Sequence, residues 1–82
     1  MESGKPQLVS HGPAFDRAGL LHRVRKPDGP GSHRAVVLLH GRSGDEDVMW
    51  VFASAVPRDW LVVAPRGLKS DPEGGYSWYA GI

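Results

Sequence analysis

Two short apolar runs stand out along the chain, residues 35–39 (AVVLL) and residues 60–64 (WLVVA). Neither alternates with polar positions, and each is too short for a globular helix, so each predicts a strand covered on both faces, as in a parallel sheet. Between them Val48, Val51, Phe52, Ala55 and Val56 recur at helical spacing and predict one apolar helix face turned to a core. Ser43 with Glu46 three residues later matches a capping box at its start, and Pro57 ends it. Strand, helix and strand together span about 30 residues, the size of a βαβ unit. Upstream, residues 20–26 alternate, with Arg23 and Arg25 on one face and His22 and Val24 on the other, the pattern of a half-exposed outer strand. A short strand begins at residues 8–10 after a loose start over residues 1–6, and residues 27–32 (PDGPGS) form a turn. The whole predicts an α/β fold in a single domain: a loose segment and first strand over 1–19, strand and βαβ core over 20–64, and an aromatic, Gly-rich loop over 65–82. His11, His22 and His33 fall at equal intervals, but their flanking residues do not repeat, so no internal repeat is inferred.

Composition narrows the possible partners. The chain has 82 residues, ten Lys or Arg against nine Asp or Glu, and a net charge of +1, so no bulk attraction to nucleic acid or anionic lipid is implied. Cysteine is absent, which removes disulfides, thiolate nucleophiles and Cys-ligated zinc. The N-terminus lacks an apolar leader, and the longest aliphatic or aromatic run, residues 48–53, is far short of the roughly 20 residues of a membrane span. A soluble, cytoplasmic protein without cofactor or metal is expected.

The turn His40-Gly41-Arg42-Ser43-Gly44 carries the candidate chemistry. It matches neither the dinucleotide fingerprint nor the P-loop, and Asp45, Glu46 and Asp47 on the following first turn would repel a phosphate. Two uses remain open. The backbone N–H of Arg42 can serve as an oxyanion donor held by a rigid Gly turn, or the segment is an ordinary tight strand-to-helix connection.

The stretches LLHGRSGDEDVMWVFASAVP, WLVVAPRG and GGYSWY, in this order and spacing, resemble the front part of the α/β-hydrolase fold. Within it they resemble the carboxylesterase/phospholipase and acyl-protein thioesterase group, over residues 20–82. The resemblance implies a sheet of about four strands with one main crossover helix. It also implies an oxyanion-hole N–H from Arg42, where the family often has Leu, and a structural turn built by His40, Gly41, Gly44 and Asp45. Tyr76, Trp78 and Tyr79 would lie near the acyl or leaving-group pocket, although they serve equally well as cover for a sheet edge. The family's catalytic His comes much later in the chain than His40.

The reactive centre of that family is not in this sequence. Its nucleophile occupies G-x-S-x-G, followed in the chain by an acid and a His. The nearest match, Gly75-Tyr76-Ser77-Trp78-Tyr79, has Tyr in place of the second Gly. The expectation is therefore an N-terminal fragment of a serine ester hydrolase that acts on a small-molecule ester, with the nucleophile absent. A non-catalytic binding module built on the βαβ unit is the alternative. A nucleic-acid binder using Arg23, Arg25, Lys26 and Arg34 is disfavoured, because no aromatic residue accompanies those charges. In the family's strand order residues 35–39 lie between residues 60–64 and a strand from later in the chain. Val36, Val37, Leu38 and Leu39 are thus expected to leave an apolar edge open to self-association.

Overall fold

The computed structural model describes residues 7–79; the loose start expected over residues 1–6 and the end of the C-terminal loop lie outside them. The run at residues 60–64 becomes the centre of the sheet. Strand β4 (Leu61–Pro65) lies between β2 (His22–Arg25) and β3 (Ala35–Val37), and β1 (Gln7–Val9) completes the order β1-β2-β4-β3. β3 pairs parallel to β4, with Val36 opposite Val62, whereas β2 runs antiparallel to both of its neighbours. The result is a small mixed α/β domain built on a four-stranded mixed sheet. Among the described residues no helix is long and apolar enough to cross a membrane.

Strand β2 lies inside the sheet, not at its margin. Arg23 and Arg25 do share a face, but that face is turned onto the connection between β3 and β4 rather than to water. Arg23 Nε donates to Asp47 Oδ1 at 2.7 Å, at the start of that connection. Arg25, only 5% exposed, reaches its end, donating to the carbonyls of Ala53 (3.0 Å), Val56 (3.2 Å) and Pro57 (2.8 Å). A fixed cation there complements the negative end of the helix, adding a charged donor to carbonyls of which those of Ala53 and Pro57 also accept backbone bonds from Val56 and Trp60. Two arginines thus hold the crossover at both ends.

The crossover is a 3-10 helix, Val48–Ala55, in place of the expected α-helix. Bonds from Val48 to Asp45, Trp50 to Asp47 and Val56 to Ala53 all span three residues. With three residues per turn, positions i and i+3 eclipse. Trp50, Ala53 and Val56 therefore form the row toward the sheet, with Ala53 buried and the other two half-buried. The apolar face inferred from a 3.6 period is displaced outward: Val48, Val51 and Phe52 are 53%, 73% and 55% exposed. The capping box is not formed either. Asp45 Oδ1 accepts from the N–H groups of Asp47 (2.8 Å) and Val48 (3.1 Å), while Glu46 turns to Arg66.

Strand β3 lies at the edge of the sheet, and the expected cover of both its faces is not found. Leu38 extends its pairing through a bond to the Val63 carbonyl, yet Val37 and Leu39 are more than half exposed. Among the described residues no strand pairs with its outer edge.

Two elements went unnoticed in the sequence. Helix α1 (Pro13–Ala18) has Pro at its start and ends at Gly19, whose left-handed backbone (φ 70°) lets its N–H bond the Phe15 carbonyl. Proline at the first turn and glycine just past the last is the usual punctuation of a helix. The stretch read as loop contains a hairpin of β5 (Lys69–Ser70) and β6 (Tyr76–Ser77).

Burial is as polar as it is apolar. Of the described residues, Ala53, Val62, Ala64, Pro65 and Gly67 are the buried nonpolar ones, and His22, Arg25, His40, Glu46 and Ser77 are the buried polar ones. The radius of gyration, 13.4 Å, exceeds the roughly 12 Å of a compact chain of this length. Order around the loops therefore depends on hydrogen bonds more than on an apolar core.

Candidate functional site

Three segments meet beyond the ends of β3 and β4: the turn over residues 40–47, the Arg66-Gly67 corner, and the β5–β6 hairpin. His40 is at their centre, 3% exposed. Its Nε2 accepts from the Gly67 N–H at 2.9 Å, which assigns the ring proton to Nδ1, and Nδ1 donates to the Gly41 carbonyl at 2.6 Å. Trp78 stacks on the imidazole with centroids 4.9 Å apart, and its Nε1 donates to the His40 carbonyl at 2.9 Å. Both ring nitrogens are thus committed to backbone groups. His40 works as a brace and has no nitrogen left to act as a base.

A second brace links Glu46, Arg66 and Tyr76. The Arg66 guanidinium donates to both Glu46 oxygens, at 2.6 and 2.9 Å. It also lies 4.3 Å over the Tyr76 ring, with Nη1 donating to the Tyr76 hydroxyl at 3.2 Å. This bidentate pairing holds the Glu46 carboxyl below its usual range and raises Arg66. Tyr76 N–H in turn donates to the Gly44 carbonyl at 2.7 Å, joining the hairpin to the turn.

Asp71 forms the third brace. Its Oδ2 accepts from Ser77 Oγ at 2.6 Å, and its Oδ1 accepts from the Glu73 N–H at 2.8 Å. Arg42 Nε lies 3.6 Å from Oδ2. The Ser77 hydroxyl foremost, then the Glu73 N–H, with smaller contributions from Ser43 and Arg42, hold the Asp71 carboxyl below the ordinary carboxylate range. Such a carboxylate is a poor base. Ser77, buried and bonded to it rather than to an imidazole, is not an activated nucleophile.

The residues singled out in the sequence are brought together unequally. His40, Gly41 and Gly44 shape the turn, Asp45 caps the 3-10 helix, and Arg42 stands at the turn's exposed head. Tyr76 and Trp78 are half-buried and engaged in the braces, whereas Tyr79 is 65% exposed. Asp71, Ser77 and Arg66 were not recognised as site residues. Asp71 had a signal, since Asp-Pro-Glu-Gly-Gly is turn chemistry in which an Asp side chain bonds the backbone two residues on. Gly67 and Gly75 permit the close approach: a Cβ on Gly67 would sit 2.5 Å from the Ser77 carbonyl oxygen, and one on Gly75 would collide with the Ser43 carbonyl. Among the described residues no cluster of three or more His, Asp or Glu could hold a metal ion.

The arrangement fixes a turn at the C-terminal side of a parallel strand pair, with the Ser43 N–H bonded to Ser77 Oγ and the Gly44 N–H to the Gly41 carbonyl. Comparison with protein-family models, curated proteins and solved structures finds no match to the chain.

Proposed function

We propose that the chain is the oxyanion-hole portion of a serine ester hydrolase of the α/β-hydrolase fold, of the carboxylesterase/phospholipase type, whose nucleophile lies outside these residues. The observation that carries the proposal is the position of the braced turn. In α/β-hydrolases one oxyanion N–H comes from the loop between the third strand and the helix that follows. Residues 38–47 lie between β3 and the crossover helix, which is why this reading gives them that role. The one-sided pairing of β3 supports the same reading, because the family's strand order puts a later strand on its other side.

In this reading the Arg42 N–H donates to the carbonyl oxygen of a small-molecule ester as negative charge develops there. A fixed donor stabilises that charge without reorganising at the moment of reaction. Tyr76, Trp78 and Tyr79 border the acyl or leaving-group side. A serine-directed fluorophosphonate should label the polypeptide translated from the complete reading frame around these codons and leave the 82-residue chain unlabelled. Absence of label from both would reject the proposal.

A non-catalytic interaction module is the second reading. Its support is the outward row of Val48 and Val51 beside Phe52, each more than half exposed.

A further inference from the structure

Ser43 is the one described residue other than glycine with a positive φ, 66°. A left-handed backbone is unfavourable for a residue with a Cβ and persists only where its surroundings over-determine it. Here the surroundings come from the hairpin. Ser43 N–H donates to Ser77 Oγ at 3.4 Å, Ser77 Oγ donates to Asp71 Oδ2 at 2.6 Å, and the Ser43 side chain also bonds Asp71. On either side of Ser43, Arg42 Nε approaches the same Oδ2, and the Gly44 carbonyl accepts from the Tyr76 N–H. The bare backbone of Gly75 lies beneath the Ser43 carbonyl, where no side chain fits. One carboxylate, that of Asp71, is common to the contacts of Arg42, Ser43 and Ser77.

We infer that Asp71 is a positioning residue for the oxyanion turn: acting through Ser77, it holds Ser43 in its left-handed conformation and thereby sets the direction of the Arg42 N–H. The catalytic meaning of this clamp rests on the ester-hydrolase reading; the clamp itself does not. Asp71 touches no substrate in this scheme. It restricts the turn so that the donor is in place before an ester arrives, which is where preorganised donors gain their advantage over water.

The test uses amide hydrogen exchange in the 82-residue chain. Asp71→Asn should speed exchange at Ser43 and Tyr76 by about tenfold through local opening, leaving the β4 amides of Val62 and Val63 unchanged. Ser77→Ala removes only the hydroxyl and should act at the same two amides. It also decides the matter should Asp71→Asn not fold. The double variant should add little to either single one, since both break one chain of bonds. Ser43→Gly supplies the discriminating arm. Glycine holds this backbone without a clamp, so in that background Asp71→Asn should have an effect below about threefold. Unchanged exchange at Ser43 and Tyr76, equal acceleration in β4, or a full effect in the Ser43→Gly background would each overturn the clamp. In the polypeptide from the complete reading frame, Asp71→Asn should lower kcat and leave KM unchanged. If the exchange results hold but no fluorophosphonate label appears, the hydrolase reading fails and the clamp stands.

Discussion

Replacing Glu46 with Gln tests whether polar bracing holds this fold. Glu46 is 5% exposed and receives two charge-assisted bonds from Arg66, at 2.6 and 2.9 Å. Gln keeps the shape and one oxygen but turns an N–H2 toward a guanidinium that can only donate. Removing one partner of a fully buried pair costs about 3–5 kcal/mol. Arg66 retains the Tyr76 hydroxyl and some solvent access, so the loss here should be nearer 2 kcal/mol, the worth of one bond to a charged group. With a urea dependence of about 1 kcal/mol per molar, the midpoint should fall by about 2 M at pH 7. The pH dependence has a definite sign. Arg66 holds the folded Glu46 carboxyl below its unfolded value, so its contribution is fully present above about pH 4.3 and is lost as pH falls through the folded value. The gap between native chain and variant should therefore be widest at neutral pH and close in acid. Urea titrations followed by far-UV circular dichroism, on dilute samples that limit association, would measure both. A shift below about 0.5 M at pH 7, or a gap that stays constant into acid, would refute the reasoning.

Arg25→Met should cost about 3 kcal/mol, because it removes three charge-assisted bonds from a buried guanidinium, leaving the Val56 carbonyl without this donor and the Ala53 and Pro57 carbonyls with only their backbone bonds from Val56 and Trp60; denaturant unfolding checks this, and a near-neutral change would show that water replaces the guanidinium. Val37→Lys, at the open edge of β3, should reduce self-association in sedimentation without sharpening the melt, since a charge blocks edge pairing but adds no core. The 82-residue chain should hydrolyse p-nitrophenyl butyrate no faster than imidazole at matched His concentration; saturable turnover abolished by a fluorophosphonate would point back to Ser43 or Ser77.

The strands were the most legible part of the chain, for a physical reason. A run such as Leu61-Val62-Val63-Ala64 has no use other than burial, and it becomes the central strand. Alternation in β2 correctly put Arg23 and Arg25 on one face, but it could not show that the face meets helix ends instead of water. The period of the crossover is not legible, because apolar spacing alone does not choose between 3.6 and 3.0 residues per turn. A change of period there moved Val48 and Val51 outward and Ala53 inward. At the candidate site, His40 and the Gly turn were visible as local pattern. The Asp71–Ser77–Ser43 chain was not, since it joins residues 34 apart at its longest step, and no local period encodes a contact made by folding a hairpin back onto a turn. The short helix α1 is punctuated in the sequence by Pro13 and Gly19, but it buries no residue and so has no apolar stripe to announce it.

The central claim is that the turn after β3 offers its backbone, not its side chain, to a developing oxyanion. It is tested most directly by comparing Arg42→Ala with Arg42→Pro in the polypeptide from the complete reading frame, by steady-state hydrolysis of p-nitrophenyl butyrate. Alanine keeps the N–H and should lower kcat by less than about tenfold, whereas proline removes it and should lower kcat by about 10² to 10³. Equal losses for the two substitutions would contradict the account.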